Sequence, residues 1–310
     1  MLNKKRSVNS LSEKLLKDSY LLIEPLYSEE TINAINSKFD SLFLQQSDAR
    51  RYVDALDIYN LGLLDVIFTP KLISLIFSII PNAVLYHCHS YEINGLNTRP
   101  HISADNLLDG WHRDIDCIHD LSNNNTIQHV SLFVYLTPVG EGDGAFEICD
   151  KKFGYFPRLF KNSNFYRILG GKGHSFLFNR TAFHRASPNR NTTQRRVLKL
   201  SFQSKNTKMP VPDEKIKSYD KFFNLLKVKD KIAKNNLPLR HLFGDKGVNE
   251  VSVEKFLQEK SYNNEVKILD DKELCKIDCE MNLKAEFKGI ARDLIFIKNS
   301  IHSKIANKKG

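Results

Sequence analysis

The chain has 310 residues, of which 41% are hydrophobic and 26% charged, with a formal net charge of +10. That length suits one large domain with an appendage, or two domains, and the balance is that of a globular chain, not a disordered or fibrous one. Five scattered cysteines do not form a disulfide framework, and the longest apolar run, "LISLIFSII" at 72–80, is too short to span a bilayer and stops at Pro81.

The basic start, "MLNKKRSVNS", is followed by polar residues where a secretory signal needs an apolar core. With the cysteine usage, this gives a cytoplasmic protein without a membrane span as the expectation. "SYLLIEPL" (19–26) is a short apolar run ending at a proline and reads as a strand. The next stretch, 28–43, opens on a good N-cap, Ser28, and repeats Ile32, Ile35, Phe39, Leu42 and Phe43 at helical spacing. A second helix opens near Pro70 and closes at Pro81.

From about residue 83 the texture changes. "AVLYHCHSYEI", "HVSLFVYLT", "GAFEIC", "HSFLFN" and "RRVLKLSFQ" are short runs of β-branched and aromatic residues between Gly, Asn and Pro turns. That is the pattern of an antiparallel sandwich or barrel. After residue 204 a helical, lysine-rich texture returns, with 220–233 and 283–305 as candidate helices. The expected organisation is therefore a β domain with N-terminal helices over 1–204 and a mainly helical extension over 205–310. The positive charge gathers in that extension and reads as a solvated helical surface, with docking of an anionic partner as the alternative. No aromatic-and-basic motif accompanies it, which argues against nucleic acid. Cys275 and Cys279 are four apart and could share a helix face, but no second Cys/His pair lies near enough to make a zinc site.

The chemistry-bearing stretch is "GWHRDID" (110–116), which reads as a strand. Side chains alternate along a strand, so His112 and Asp114 point to one side, about 7 Å apart along the backbone. They could converge on one cation, or form a simple ion pair; the spacing does not choose. His87 and His89 share a strand face with Tyr91 and read as packing or hydrogen-bonding residues. His119, His129, His174, His241 and His302 are isolated. His184 differs because of its surroundings: in 171–202 a Gly-bounded strand runs into a turn, His184 follows, then a Pro–Asn loop and a strand opening with Arg195 and Arg196.

With these residues in view the sequence resembles the phytanoyl-CoA dioxygenase-like family of iron(II)/2-oxoglutarate oxygenases. That family carries a His-x-Asp pair, a distant His, and an Arg about eleven residues beyond it; here His112, Asp114, His184 and Arg195 hold those positions. "LTPVGEGDGAFEICDKKF" (136–153) and "DSYLLIEPLYSEETINAINSKF" (18–39) match the family in style, and the resemblance covers roughly 15–204. Two departures, "CDKKF" in place of a Pro-Gly-Ser-His turn and His174 in place of an acid, bear on the substrate more than on the chemistry. "HRD" also matches a kinase catalytic loop, but His119 stands where an Asn is required and no Asp-Phe-Gly follows.

The resemblance implies a double-stranded β-helix (jelly-roll, cupin-like) core that is mainly β with flanking helices. It implies Fe(II) held by His112, Asp114 and His184, with 2-oxoglutarate as co-substrate, molecular oxygen as oxidant and a small-molecule substrate. The expected reaction is hydroxylation with decarboxylation of 2-oxoglutarate to succinate. A small residue at position 114 would leave room for halide, so a carboxylate there favours hydroxylation. The far carboxylate of 2-oxoglutarate needs a rigid guanidinium. In a strand, Arg195 aligns with Val197, Lys199 and Ser201, and Arg196 with Leu198, Leu200 and Phe202. Taking the apolar set as barrel lining favours Arg196; the family spacing, with helices covering the outer face, favours Arg195, which we take as the anchor. Trp111 reads as a packing residue and Asn189 as a loop-fixing one. The alternatives are a non-catalytic jelly-roll binding protein and the same chemistry on a macromolecule. Neither the substrate nor the oligomeric state is written in the sequence.

Overall fold

The computed structural model describes residues 4–97, 110–112, 114, 126–150, 164–207, 224–248, 251, 253, 255, 266–270, 274–277, 294 and 298. The N-terminal part runs α1 (Lys4–Asp18), β1 (Tyr20–Ile23), α2 (Glu29–Leu44), β2 (Arg50–Val53), α3 (Ala55–Asn60), α4 (Leu64–Ile67) and α5 (Pro70–Ile79). Local chemistry sets its boundaries. Ser28 caps α2 by accepting from the Thr31 backbone N–H at 3.2 Å, and Asp54 and Asp57 form a capping box on α3. Thr69 caps α5, whose first residue, Pro70, lacks the N–H that would be orphaned there anyway. Ile32, Ile35, Phe39 and Phe43 make one buried stripe along α2, each worth about 1.5–3 kcal/mol of burial.

The strands that follow are β3 (Ala83–Ile93), β4 (His129–Tyr135), β5 (Phe146–Cys149), β6 (Phe165–Ile168), β7 (Ser175–Asn179), β8 (His184–Ala186) and β9 (Arg195–Ser204). The C-terminal part adds α6 (Leu225–Lys229), α7 (Leu237–Leu242) and β10 (Leu274–Ile277). All strands pair antiparallel, in a large sheet ordered β1-β7-β4-β9-β3-β2 and a small one ordered β10-β6-β5-β8. The core is a jelly roll with helices on one side, the expected fold class.

The large sheet is buried on both faces. Its inner face sends Tyr20, Leu22, Tyr91, Phe133, Tyr135, Phe176, Phe178 and Val197 against Phe146, Ile148 and Ile168 of the small sheet. Its outer face packs Leu21, Val130, Leu132, Leu177, Leu198, Leu200 and Phe202 against the helices. Residues beyond 204 join this outer cluster through Leu225, Val228, Leu239 and Leu242, and β10 lengthens the small sheet.

Several elements depart from the sequence expectation. Cys275 lies on strand β10, not on a helix. Of the expected helix 220–233, α6 occupies only the centre among the described residues, and the expected helix 283–305 falls outside them apart from 294 and 298. Cys279, His119 and His302 also lie outside the described residues. Among the described residues no helix is long and apolar enough to cross a membrane.

Candidate active site

His112 is not in a regular strand; it makes one isolated antiparallel bridge with His184, the first residue of β8. The two residues exchange both backbone bonds, His112 N–H to His184 O at 3.0 Å and His184 N–H to His112 O at 2.9 Å. This doubly bonded pair sets the imidazoles side by side, with ring centroids 4.4 Å apart. Gly110, two residues earlier, has φ +82°, a left-handed conformation that glycine adopts without strain. Its carbonyl lies 2.7 Å from His112 Nδ1, and the Ala182 carbonyl lies 3.0 Å from His184 Nδ1. A proton on each Nδ1 satisfies these carbonyls and makes each Nε2 the nitrogen that would ligate a metal.

Both Nε2 atoms face one oxygen of Asp114: His112 Nε2 and His184 Nε2 each lie 3.7 Å from Oδ1. The three donor atoms fall within 4.8 Å of one another, the convergence that the His-x-Asp spacing by itself left open. The other carboxylate oxygen, Oδ2, accepts from Lys199 Nζ at 2.9 Å and from Arg180 Nε at 3.3 Å.

Electrostatics complete the donor set. Burial pulls the His184 imidazole down to about 3, with His112 beside it adding to the effect, and burial also lowers His112. Burial would push the Asp114 carboxyl up, but the Lys199 ammonium, the Arg180 guanidinium and the two imidazoles overcome this and hold it well below the usual carboxylate range. The result is two neutral imidazoles and one carboxylate on one side of a cation position. That is the donor chemistry of a non-haem iron(II) site with open coordination positions, and it fits such a metal.

The triad opens into a cavity of about 260 Å³. Phe133, Phe146 and Ala186 form its apolar part, and Phe146 stacks on His184 with centroids 5.3 Å apart. The opposite wall is Tyr52 from β2 with His87, His89 and Tyr91 from β3, and Lys199 enters from β9. His87 and His89, expected as packing or hydrogen-bonding residues, do pack against Tyr86, Tyr52 and Tyr91, and they also line the cavity. A register shift between Leu85 and His87 moves His87 to the inner face, although alternation would have kept it with Leu85. Burial pulls His89 down to about 3 and His87 well below its ordinary value, so both rings are neutral.

Arg195 and Arg196 take opposite faces of β9. Arg195 lies fully buried between the sheets, donating from Nη1 to the Gly144 carbonyl at 2.6 Å and from Nη2 to the cavity residue Tyr91 Oη at 3.1 Å. Its Nε has no hydrogen-bond partner among the described residues. Arg196 points to the helices, where it pairs with Glu92 at 2.6 Å and Asp40 at 2.9 Å and meets Asn36. The apolar residues in phase with Arg196 thus pack under the helices, the arrangement that puts Arg195 inside.

Asn189 fixes its loop, donating to the Thr193 carbonyl at 2.8 Å and the Asn94 carbonyl at 3.3 Å. Trp111 is buried edge-on to Phe165, with the Arg185 guanidinium 5.0 Å over its ring. Sequence reasoning missed Lys199 and Arg180. Lys199 had a signal, since it is in phase with Arg195; Arg180 lies in the turn after β7 and carried none.

No protein-family model and no curated protein matches the sequence. Solved structures do match the fold. The non-heme alpha-ketoglutarate-dependent epimerase SnoN from nogalamycin biosynthesis aligns with TM-score 0.50 at 11% identity, covering 64% of this chain and 84% of that one. SnoN in complex with Fe3+, alpha-ketoglutarate and nogalamycin RO aligns with TM-score 0.50 at 10% identity, over 70% of this chain and 90% of that one. The non-heme alpha-ketoglutarate-dependent carbocyclase SnoK gives the same score, identity and coverage.

Proposed function

We propose that this chain is an iron(II)/2-oxoglutarate-dependent oxygenase of the phytanoyl-CoA dioxygenase-like type, hydroxylating a small molecule while 2-oxoglutarate is decarboxylated to succinate. The observation that carries this reading is the convergence of His112 Nε2, Asp114 Oδ1 and His184 Nε2 with two neutral imidazoles and an ionised carboxylate. The matched folds include enzymes whose names state the same co-substrate. When bound, iron(II) with 2-oxoglutarate and molecular oxygen supplies the oxidising power for an unactivated C–H bond.

The chain's own residues do the rest. His112, Asp114 and His184 hold the metal from one side, each imidazole oriented through a backbone carbonyl on Nδ1. Arg195 takes the far carboxylate of 2-oxoglutarate at the Tyr91 end of the cavity, where its guanidinium is already held in place. Phe133, Phe146 and Phe178 exclude water beside the metal position. A non-catalytic binder would have no use for this combination of a three-donor metal set and a rigid guanidinium. The test is succinate release by the full chain supplied with iron(II), 2-oxoglutarate and oxygen but no other substrate. Slow release that disappears when iron is withheld or His184 is replaced by Ala supports the reading; release that survives either change refutes it.

A further inference from the structure

Among the described residues, the charges around the cavity do not balance. Asp114 is the one acid lining it among the described residues, yet Lys199 and Arg180 both donate to that carboxylate. Arg180 is 1% exposed, and its Nη1 has no hydrogen-bond partner among the described residues. The Lys199 side chain is 11% exposed. The metal's two positive charges and the two negative charges of 2-oxoglutarate offset each other, so loading the site leaves the cation excess in place. Arg195, set aside for the co-substrate, is not needed to reach that result. A desolvated cation without its own counter-charge is strongly unfavourable, and a further anion resolves the imbalance.

The surroundings of Lys199 say what kind of anion fits. Lys199 lies directly across from His89 in the β3–β9 register, and both face the cavity. His87 and Tyr52 each stand 5.9 Å, centroid to centroid, from the His89 ring. Lys199 Nζ lies 5.6 Å over the ring of Phe133. A cation thus sits at the foot of a wall of flat rings, beside the metal position and four residues along β9 from Arg195.

Building on the oxygenase reading, we propose that the substrate to be oxidised is a small organic anion, a carboxylate or phosphate monoester with a ring-sized apolar body. Its charged group is held by Lys199 beside His89, and its body lies on the Tyr52–His87–His89 wall.

The test uses the full chain loaded with zinc(II) and 2-oxoglutarate, which fills the site without turnover. Phenylacetate, phenyl phosphate and the neutral phenylacetamide are titrated in, with binding followed by ligand-observed NMR. At least one anion should bind about tenfold or more tighter than the amide; Lys199→Met should bring the ratio to within about twofold, and Lys199→Arg should restore it. Because Arg180 still pairs with Asp114, zinc should stay at one per chain and 2-oxoglutarate affinity within about threefold in both variants, which also shows that they fold. The two anions distinguish a carboxylate site from a phosphate site. Equal binding of amide and anions, no anion binding, or a preference that survives Lys199→Met overturns the proposal. A weakened 2-oxoglutarate affinity with the anion preference intact overturns it by assigning Lys199 to the co-substrate. Failure of the wild-type chain to bind zinc at the triad overturns the oxygenase reading itself, a distinct result.

Discussion

Replacing Arg195 and Arg196 in turn by Ala separates two properties that neighbouring arginines of one strand would otherwise confound. Arg195 faces the cavity side, and losing a charge-assisted, two-point contact to the far carboxylate should cost roughly 2–4 kcal/mol of 2-oxoglutarate binding. That converts to an apparent KM raised roughly 30-fold to several-hundred-fold. Arg196 has no route to the cavity; it serves Glu92, a 1% exposed carboxylate that also pairs with Arg51. Removing Arg196 leaves much of that buried charge uncompensated, a loss of about 3–5 kcal/mol in folding stability by comparison with broken buried pairs. The assay is paired: 2-oxoglutarate titration by succinate formation, and urea unfolding, on both variants. Arg195→Ala should raise KM with iron binding unchanged, and Arg196→Ala should lower the unfolding midpoint with KM near wild type. If Arg196→Ala carries the KM effect, the face assignment of β9 is wrong and so is the co-substrate site built on it.

Asp114→Asn preserves the shape of the side chain but removes the charge that four partners use, so it should abolish succinate formation while the far-UV spectrum stays native; full turnover would reduce the His-x-Asp pair to a structural feature. The metal-free protein should lose stability as pH falls below about 6.5, the ordinary imidazole value, because the unfolded chain then takes up protons that the buried rings refuse. With His89 and His184 both pulled to about 3, each contributes about 1.4 kcal/mol of loss at one pH unit below that value, and urea midpoints at pH 7.5 and 5.5 check it; no change between them would show that the rings are accessible to protons. Glu147 is fully buried between Arg167 and Arg185, which are themselves partly exposed, so Glu147→Ala should cost about 1.5–3 kcal/mol, read by thermal unfolding, and a variant as stable as wild type would remove that cluster from the account.

The fold was legible where burial leaves a one-dimensional trace. Strand β3 coincides with the run "AVLYHCHSYEI", and α2 and α5 begin at the caps Ser28 and Thr69, because apolar runs and capping side chains are local properties. Strand β8 has three residues, and β2 reads "RRYV" with half-exposed positions, so neither offers enough periodicity to stand out. Helix α1 is lysine-rich and polar, which left its helical register unseen. The triad was reachable as spaced residues, but its geometry comes from the His112–His184 bridge, which joins positions 72 residues apart. Lys199 and Arg180 meet Asp114 across 85 and 66 residues, and nothing in a single strand announces such a meeting. The arginine ambiguity has a related cause. Strand β9 is buried on both faces, so apolar alternation alone cannot tell the cavity side from the helix side.

The central claim is that His112, Asp114 and His184 together hold one iron(II) that 2-oxoglutarate then chelates. Anaerobic titration of the full chain with iron(II), followed by 2-oxoglutarate, tests it without any knowledge of the substrate. The account requires one iron per chain and a visible charge-transfer absorption that appears only when both are present, with Asp114→Asn and His184→Ala each losing it. Iron bound equally well by those variants, or no absorption when 2-oxoglutarate is added to the iron-loaded chain, would contradict it.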